Sequence, residues 1–335
     1  MTRTWRILGR TLLVVLGIGV IAFLVREAGP KRVATVLWSA GPWLPVILLL
    51  ELVQLGSDFF ALRSILGSHW REVPAATWLR ASALAYGMMI VLPAGRAAGE
   101  VTRATLFSKH VGAARAASAS MQLQAAYVFA NGFISAVDCV VIAAWAASTG
   151  AGSTLPLLLA ANALLMCGSA AGLLAILWNG RLGIWLDRQR RRLSHLPSVP
   201  PPGDRPGNHP VPYGAAAICC ASRGAQVLQY GVILGAVGGI VTVRGAVVAH
   251  GIHLVGSTMG DLIPNQLGVV DGAYRTFAAA VGFGDSPARA LSIAFLARIG
   301  QLVIATACVV VAGLTRRAVS HERASPPSVD ASARS

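Results

Sequence analysis

A short pattern of helix breakers and charges occurs twice in this chain, each time at the end of a long apolar run. The first copy is Leu92-Pro93-Ala94-Gly95-Arg96-Ala97-Ala98-Gly99-Glu100, followed by Arg103; the second is Ile263-Pro264-Asn265-Gln266-Leu267-Gly268-Val269-Val270-Asp271, followed by Arg275. In both, an acid stands seven residues beyond the proline. Proline lacks the N–H that continues a helix, and charge is costly at membrane depth. A repeated set of both restricts the chain to folds that bury broken helices inside a bundle, and it points to a transport site before it points to an enzyme.

The membrane setting follows from composition. Of 335 residues, 55% are hydrophobic and only 12% charged, too little polar surface to coat a soluble globule of this size. The chain reads as an all-α integral membrane protein. Its net charge of +15 comes from 28 basic residues, of which only Lys31 and Lys109 are lysine. They gather at the ends of apolar runs and in one connector, as cytoplasmic anchors do, whereas a nucleic-acid-binding protein needs a contiguous basic face. No nucleic-acid partner is expected.

The side chains that carry metal and nucleophile chemistry are sparse. Cys139, Cys167, Cys219, Cys220 and Cys308 all lie in apolar runs without CxxC spacing, and read as small core residues. His250 and His253, at a segment edge, share a helical spacing of three but have no third ligand in view. No metal, no cofactor and no catalytic residue is expected. A Walker motif is also missing, which argues against ATP hydrolysis by this chain.

Arg3, Arg6 and Arg10 precede the apolar run from Thr11 to Val25, whose exit lacks a small-x-small cleavage pattern, so an uncleaved anchor is expected. The next run, Trp43 to Leu66, carries Glu51, Gln54 and Asp58 on one helical face, which must look inward. Ala75 to Leu92 leads into the first motif, and Arg96 to His110 is a polar, amphipathic stretch. A long helix follows from Val111 to Ala147 with Gln122, Gln124, Asn131 and Asp138, then a run from Leu155 to Trp178. Tyr213 to Ile240, Val247 to Ile263 and Ser286 to Leu314 complete the membrane part. Glu51, Asp58 and Asp138 are read as buried packing groups in preference to a proton relay.

The domain reading is therefore a first membrane half, 1–180, with its motif at 92–103, and a second half, 213–315, with its motif at 263–275. Between them lies a basic, Pro-rich linker, 181–212, with six arginines and seven prolines, and after them a disordered polar tail, 316–335. If every apolar run crossed the bilayer, the arginine-rich linker would emerge outside, against the positive-inside bias. If Ala75 to Leu92 instead enters part-way, turns at Pro93 to Gly95 and leaves through Arg96 to His110, linker and termini all lie in the cytoplasm. The same treatment of Val247 to Phe283 gives six crossing helices and two opposed re-entrant hairpins, with tips at Pro93, Gly95 and Gly99 and at Pro264 and Gly268. Such halves are inverted repeats. The correspondence extends past the tips, with Arg115 matching Arg289 and Gln124 matching Arg298 after a drift of three residues.

These residues resemble the lysylphosphatidylglycerol synthase transmembrane, or flippase-like, family of bacterial membrane proteins. Its first-half pattern is matched by Leu92-Pro93, Gly95, Gly99-Glu100 and Arg103, and its second-half pattern by Pro264, Gly268, Asp271 and Gly282. Two positions depart: Asp271 stands where glutamate is usual, and Gln124 where arginine is usual. Members fused to an aminoacyl-transfer domain make a modified lipid, and that synthetic activity is not carried over to this chain. The resemblance implies a stand-alone membrane domain of the bacterial plasma membrane that moves a lipid between leaflets.

The residues fit that implication. Arg96, Glu100 and Arg103 recur at four and three, forming one charged stripe on a helix, and Asp271 with Arg275 repeats the arrangement. With Arg298 these six are the expected binding residues for a membrane lipid with an anionic or phosphate-bearing head group, since surplus guanidinium offers bidentate hydrogen bonds to phosphate. A non-catalytic accessory protein of lipid or hopanoid biosynthesis, working with biosynthetic partner proteins, is the alternative. An intramembrane lipid-modifying enzyme is a second alternative that would need a metal-binding acid cluster or a nucleophile with its base. For the topology, a cysteine placed at Ser198 is expected to stay unlabelled by a membrane-impermeant maleimide on intact cells; robust labelling would put the linker outside.

Overall fold

The structure, a computed structural model, describes residues 19–92, 95–149, 152–178, 212–261 and 263–324. Pro93, most of the basic linker (181–211), the start of the first apolar run and residues 325–335 lie outside the described residues. Among the described residues all regular structure is helical. A helix α1 over 19–28 meets α2 (Pro30–Ser39) at Gly29, whose φ of 89° is accessible to glycine. Then come α3 (Leu44–Leu66), α4 (Ala75–Val91), α5 (Gly95–Val111), α6 (Ala113–Thr149) and α7 (Thr154–Trp178). The second half contains α8 (Tyr213–Ala236), α9 (Val243–Met259), α10 (Val269–Thr276) and α11 (Pro287–Ala324).

Four stretches among the described residues are long and apolar enough to cross a membrane: Gly41–Glu72, Ala113–Ser148, Thr154–Trp178 and Pro287–Thr315. Their outer faces carry exposed leucine and valine, such as Leu49, Leu164, Val140 and Val310, as lipid contact requires. The chain is a multi-pass membrane protein. Helix α8 has 24 residues, long enough by rise alone, but is not among the four. It carries Ser222, Arg223, Gln226 and Gln229, all buried. Its place explains this composition: Ala215 and Cys219 belong to an apolar cluster with Leu62, Trp78, Phe107 and Leu123. Tyr230, Ile233 and Leu234 belong to another, with Ile252, Tyr274 and Ile293. A helix walled by protein on both sides need not be greasy all round.

Both motifs fold as helical hairpins. In the first, α4, which ends at Val91, and α5, which begins at Gly95, pack against one another. Gly95 and Gly99, one turn apart on α5, bring its backbone onto that of α4: a Cβ at Gly95 would collide with the Met89 carbonyl, and one at Gly99 would sit 2.6 Å from the Ala85 carbonyl oxygen. In the second, α9 packs on α10, and a Cβ at Gly256 would lie 3.0 Å from the Val270 Cα. Its tip runs through Asn265, Gln266 and Gly268, all at positive φ. The two hairpins differ in length, because α5 has 17 residues and α10 only 8 before the chain turns irregularly toward α11. Helix α11 continues to Ala324, so the disordered tail expected from Arg316 begins instead as helix.

Replacing Gly99 with leucine is expected to cost about 1–3 kcal/mol by forcing the hairpin apart, read as a lower thermal midpoint in detergent. Gly224→Ala, which meets nothing within 4 Å, leaves the midpoint unchanged or raises it.

Candidate functional site

The stripe on α5 is buried and becomes the centre of a charge cluster. Arg103, with 3% of its side chain exposed, donates to Glu100 Oε1 at 2.9 Å. Asp58 reaches over from α3 and lies 4.0 Å from both Arg96 and Arg103. The inward face expected for Glu51, Gln54 and Asp58 is therefore observed, and it connects three helices. The Arg96 guanidinium stacks over the Tyr127 ring of α6, and the Arg223 guanidinium of α8 lies 4.0 Å from the centroid of the same ring. Arg223 donates to Gln226 Oε1 one turn along its own helix. Three guanidiniums (Arg96, Arg103, Arg223) thus gather around two carboxylates (Asp58, Glu100), with Glu51 in electrostatic reach of Arg223 and Asp261 in reach of Arg96.

Above Asp58 on α3, Glu51 accepts from Tyr86 Oη at 2.5 Å and from Gln229 Nε2 at 3.0 Å. Gln54 donates to Gln229 Oε1 at 2.9 Å. One glutamine of α8 thereby ties the second half of the chain to the first through α3. Glu51, read as a packing group, does pack.

In the second half, Asp271 has no exposed side-chain surface and receives both arms of Arg298 from α11, at 3.0 and 2.9 Å. The Gly268 N–H at the start of α10 also donates to Asp271 Oδ2, at 2.9 Å. Both carboxylate oxygens are satisfied without Arg275, which pairs instead with Glu27 at 2.7 Å on an exposed surface. The arrangement expected of Asp271 with Arg275 does not form, and Arg275 is placed away from the interior.

Between the two hairpins lies a cavity of about 590 Å³. The first hairpin contributes Met89, Leu92, Gly95 and Arg96; the second contributes His253, Asp261, Asn265 and Gln266. Gln124, Tyr127 and Asn131 line it from α6, Arg223 and Gln226 from α8, and Ser169 and Gly172 from α7. Ser169 and Gly172 are exposed, so the cavity communicates with the outside along α7, whose outer face bears exposed Leu164 and Leu165. Several buried polar atoms of the lining have no partner: Arg96 Nε, Arg223 Nε, Gln124 Oε1, Asn131 Oδ1 and His253 Nδ1. Unpartnered polar atoms are rare in protein interiors and cost free energy when water is absent; five of the nine among the described residues belong to side chains around this one space, which marks it as a candidate place for a polar ligand.

Of the residues singled out from sequence, Arg96 lines this cavity, while Glu100 and Arg103 stand behind it as the charge support of Arg96. Asp271 and Arg298 are joined beside it, with Arg298, Asn265, Gln266 and His253 around a smaller pocket. Gly95 belongs to the cavity lining, and Gly99 and Gly268 set the hairpin geometry. His250 and His253 do not sit at a segment edge: α9 starts at Val243, and both rings are buried within it. Arg223, Gln226 and Tyr127 were missed. The available signal for Arg223 was its standing as the lone charge in an otherwise neutral 24-residue run.

Fold and site together define a multi-pass, all-helical membrane protein with a polar cavity enclosed between two broken-helix hairpins. The family model of the lysylphosphatidylglycerol synthase TM region matches residues 10–308, and the chain belongs to that family. No curated protein and no solved structure matches the chain.

Asp271→Ala leaves the Arg298 guanidinium buried without its acid and is expected to destabilise the protein by about 3–5 kcal/mol. An Asp271→Leu, Arg298→Met double variant, which removes both charges, recovers most of that loss in thermal unfolding. A double variant as unstable as the single one would show that lost packing, not an unpaired charge, sets the cost.

Proposed function

We propose that this protein is a flippase-like translocase that moves a lipid with an anionic, phosphate-bearing head group between leaflets, and that its two halves are inverted repeats. The observation that carries the reading is the cavity wall: Arg96 and Arg223 both line it, each has a buried Nε without a partner in the protein, and both guanidiniums lie against the one Tyr127 ring. A phosphate oxygen accepts from such donors, and two guanidiniums near one ring offer more than one contact. Opening along α7 beside exposed leucines lets acyl chains stay in the bilayer while the head group occupies the cavity. Family membership supports a role in lipid metabolism or transport.

The role is non-enzymatic in this reading: the partner is a membrane lipid, and the hairpins gate its passage. The membrane is the bacterial plasma membrane, with the linker and both termini in the cytoplasm. Hairpin packing that depends on glycine contacts, not on ion pairs across the tips, suits parts that must separate and re-form.

The test is a liposome assay with the purified full chain in phosphatidylcholine vesicles carrying fluorescent phosphatidylglycerol, phosphatidic acid or phosphatidylcholine. Dithionite then reports the outer-leaflet fraction. Wild type is expected to move an anionic lipid, and an Arg96→Gln, Arg223→Gln double variant to lose at least about 90% of that rate, while Arg275→Gln retains it. Failure of well-folded wild type to move any of the three lipids would replace the translocase with the accessory role in lipid biosynthesis.

A further inference from the structure

Away from the hairpin tips, a line of buried polar groups leaves the cavity and ends deep in the second half. Arg223 donates to Gln226 Oε1, the same oxygen lies 3.3 Å from His250 Nε2, and His250 Nδ1 lies 2.9 Å from Asp138 Oδ2 of α6. His250 and Asp138 are 0% and 1% exposed. The charged and titratable groups around the imidazole are Asp138 from α6, Arg223 and Tyr230 from α8, Tyr274 from α10 and His253 on its own helix; α7 contributes the apolar Leu159.

Hydrogen-bond accounting links the protons along this line to one another. Arginine can only donate, so the Gln226 atom facing Arg223 is the amide oxygen. That oxygen can only accept, so a hydrogen bond to it from His250 Nε2 requires a proton on that nitrogen. A carboxylate faces Nδ1, so a proton lies between those two atoms as well. A ring that donates on both sides carries one proton more than a neutral imidazole beside a carboxylate. If that proton leaves, the carboxylate keeps the remaining ring proton at Nδ1, and a bare Nε2 lone pair confronts the Gln226 oxygen. The amide must then turn its NH2 toward Nε2, which takes its oxygen away from Arg223. Arg223, deprived of its internal acceptor, is left to the anion in the cavity.

We propose that the His250–Asp138 pair is a proton-binding site coupled through Gln226 to the head-group site, so that the proton and the anionic head group exchange for one another. This rests on the translocase reading above and adds its energy source: Gln226 lines the cavity and also touches His250, so a proton on the pair and a head group on Arg223 exclude one another. A proton bound on the acidic side displaces the lipid there, and a lipid bound on the other side displaces the proton.

The experiment imposes a gradient of one pH unit, acidic inside, on vesicles carrying fluorescent phosphatidylglycerol, with the membrane potential clamped by potassium and valinomycin. One proton exchanged per lipid is expected to enrich the probe about tenfold in the leaflet facing the acidic side, since one pH unit corresponds to one decade in the distribution. A protonophore abolishes the enrichment, and His250→Gln or Asp138→Asn moves lipid without responding to the gradient. Lipid that equilibrates freely in wild type whatever the gradient, or that collects on the alkaline side, overturns the exchange while leaving the translocase intact. If wild type moves no lipid, the translocase fails, and the proton site is judged separately by 15N spectra of histidine-labelled protein, with His250→Gln identifying the resonance. Two protonated ring nitrogens, or one with a protonated Asp138 carboxyl in the infrared, support the site; a neutral ring beside an ionised carboxylate overturns it.

Discussion

Burial of charge without water is the constraint on which the rest of this molecule depends. An ion held in a low-dielectric interior costs several kcal/mol unless a partner of opposite sign and good geometry compensates it. Each buried acid of the interior meets this condition differently. Glu51 is held by a tyrosine and a glutamine, Glu100 by an arginine on its own helix, Asp271 by a bidentate arginine and a backbone N–H, and Asp138 by a histidine. Against that background Arg96 and Arg223 stand out as the two arginines that both line the cavity and have a buried, unpartnered Nε.

Helix α8 makes this arrangement possible. It stands between the two apolar clusters, so it can hold Arg223, Gln226 and Gln229 away from lipid while still reaching both halves. Gln229 fastens it to α3, Arg223 shares a ring with Arg96 of the first hairpin, and Gln226 reaches His250 of the second. The hairpins themselves are closed by backbone approach at Gly95, Gly99 and Gly256, contacts that only a missing side chain permits.

The motifs were legible because helix breakers and charges announce themselves locally. Glycine begins α5 where the spacing said it would, and the inward face of α3 followed from its periodicity. Pairing was less legible, because it is decided across helices. Spacing of four suggested Arg275 for Asp271, yet the acid is satisfied by Arg298 and by the start of its own short helix, so Arg275 is free to reach Glu27. The buried histidines were misplaced for a related reason: the apolar run begins at Val247, but Thr242 caps the helix by accepting from the Gly245 N–H, which draws the start back to Val243 and carries both rings inside.

The departure at Gln124 connects the sequence to the site. In the second half, the arginine at the matching position, Arg298, is consumed by Asp271 in a closed, bidentate pair. In the first half, glutamine cannot neutralise Glu100, which takes Arg103 from its own helix instead. Among the described residues, the acid left within ion-pair distance of Arg96 is Asp58, which lies 4.0 Å away and is also shared with Arg103. Gln124 itself faces the cavity with its amide oxygen unpartnered. An arginine there would have competed for Glu100 and placed a further cation on the wall. The neutral side chain adds an acceptor beside Arg96 instead, so the first half presents an unfinished site where the second presents a closed one.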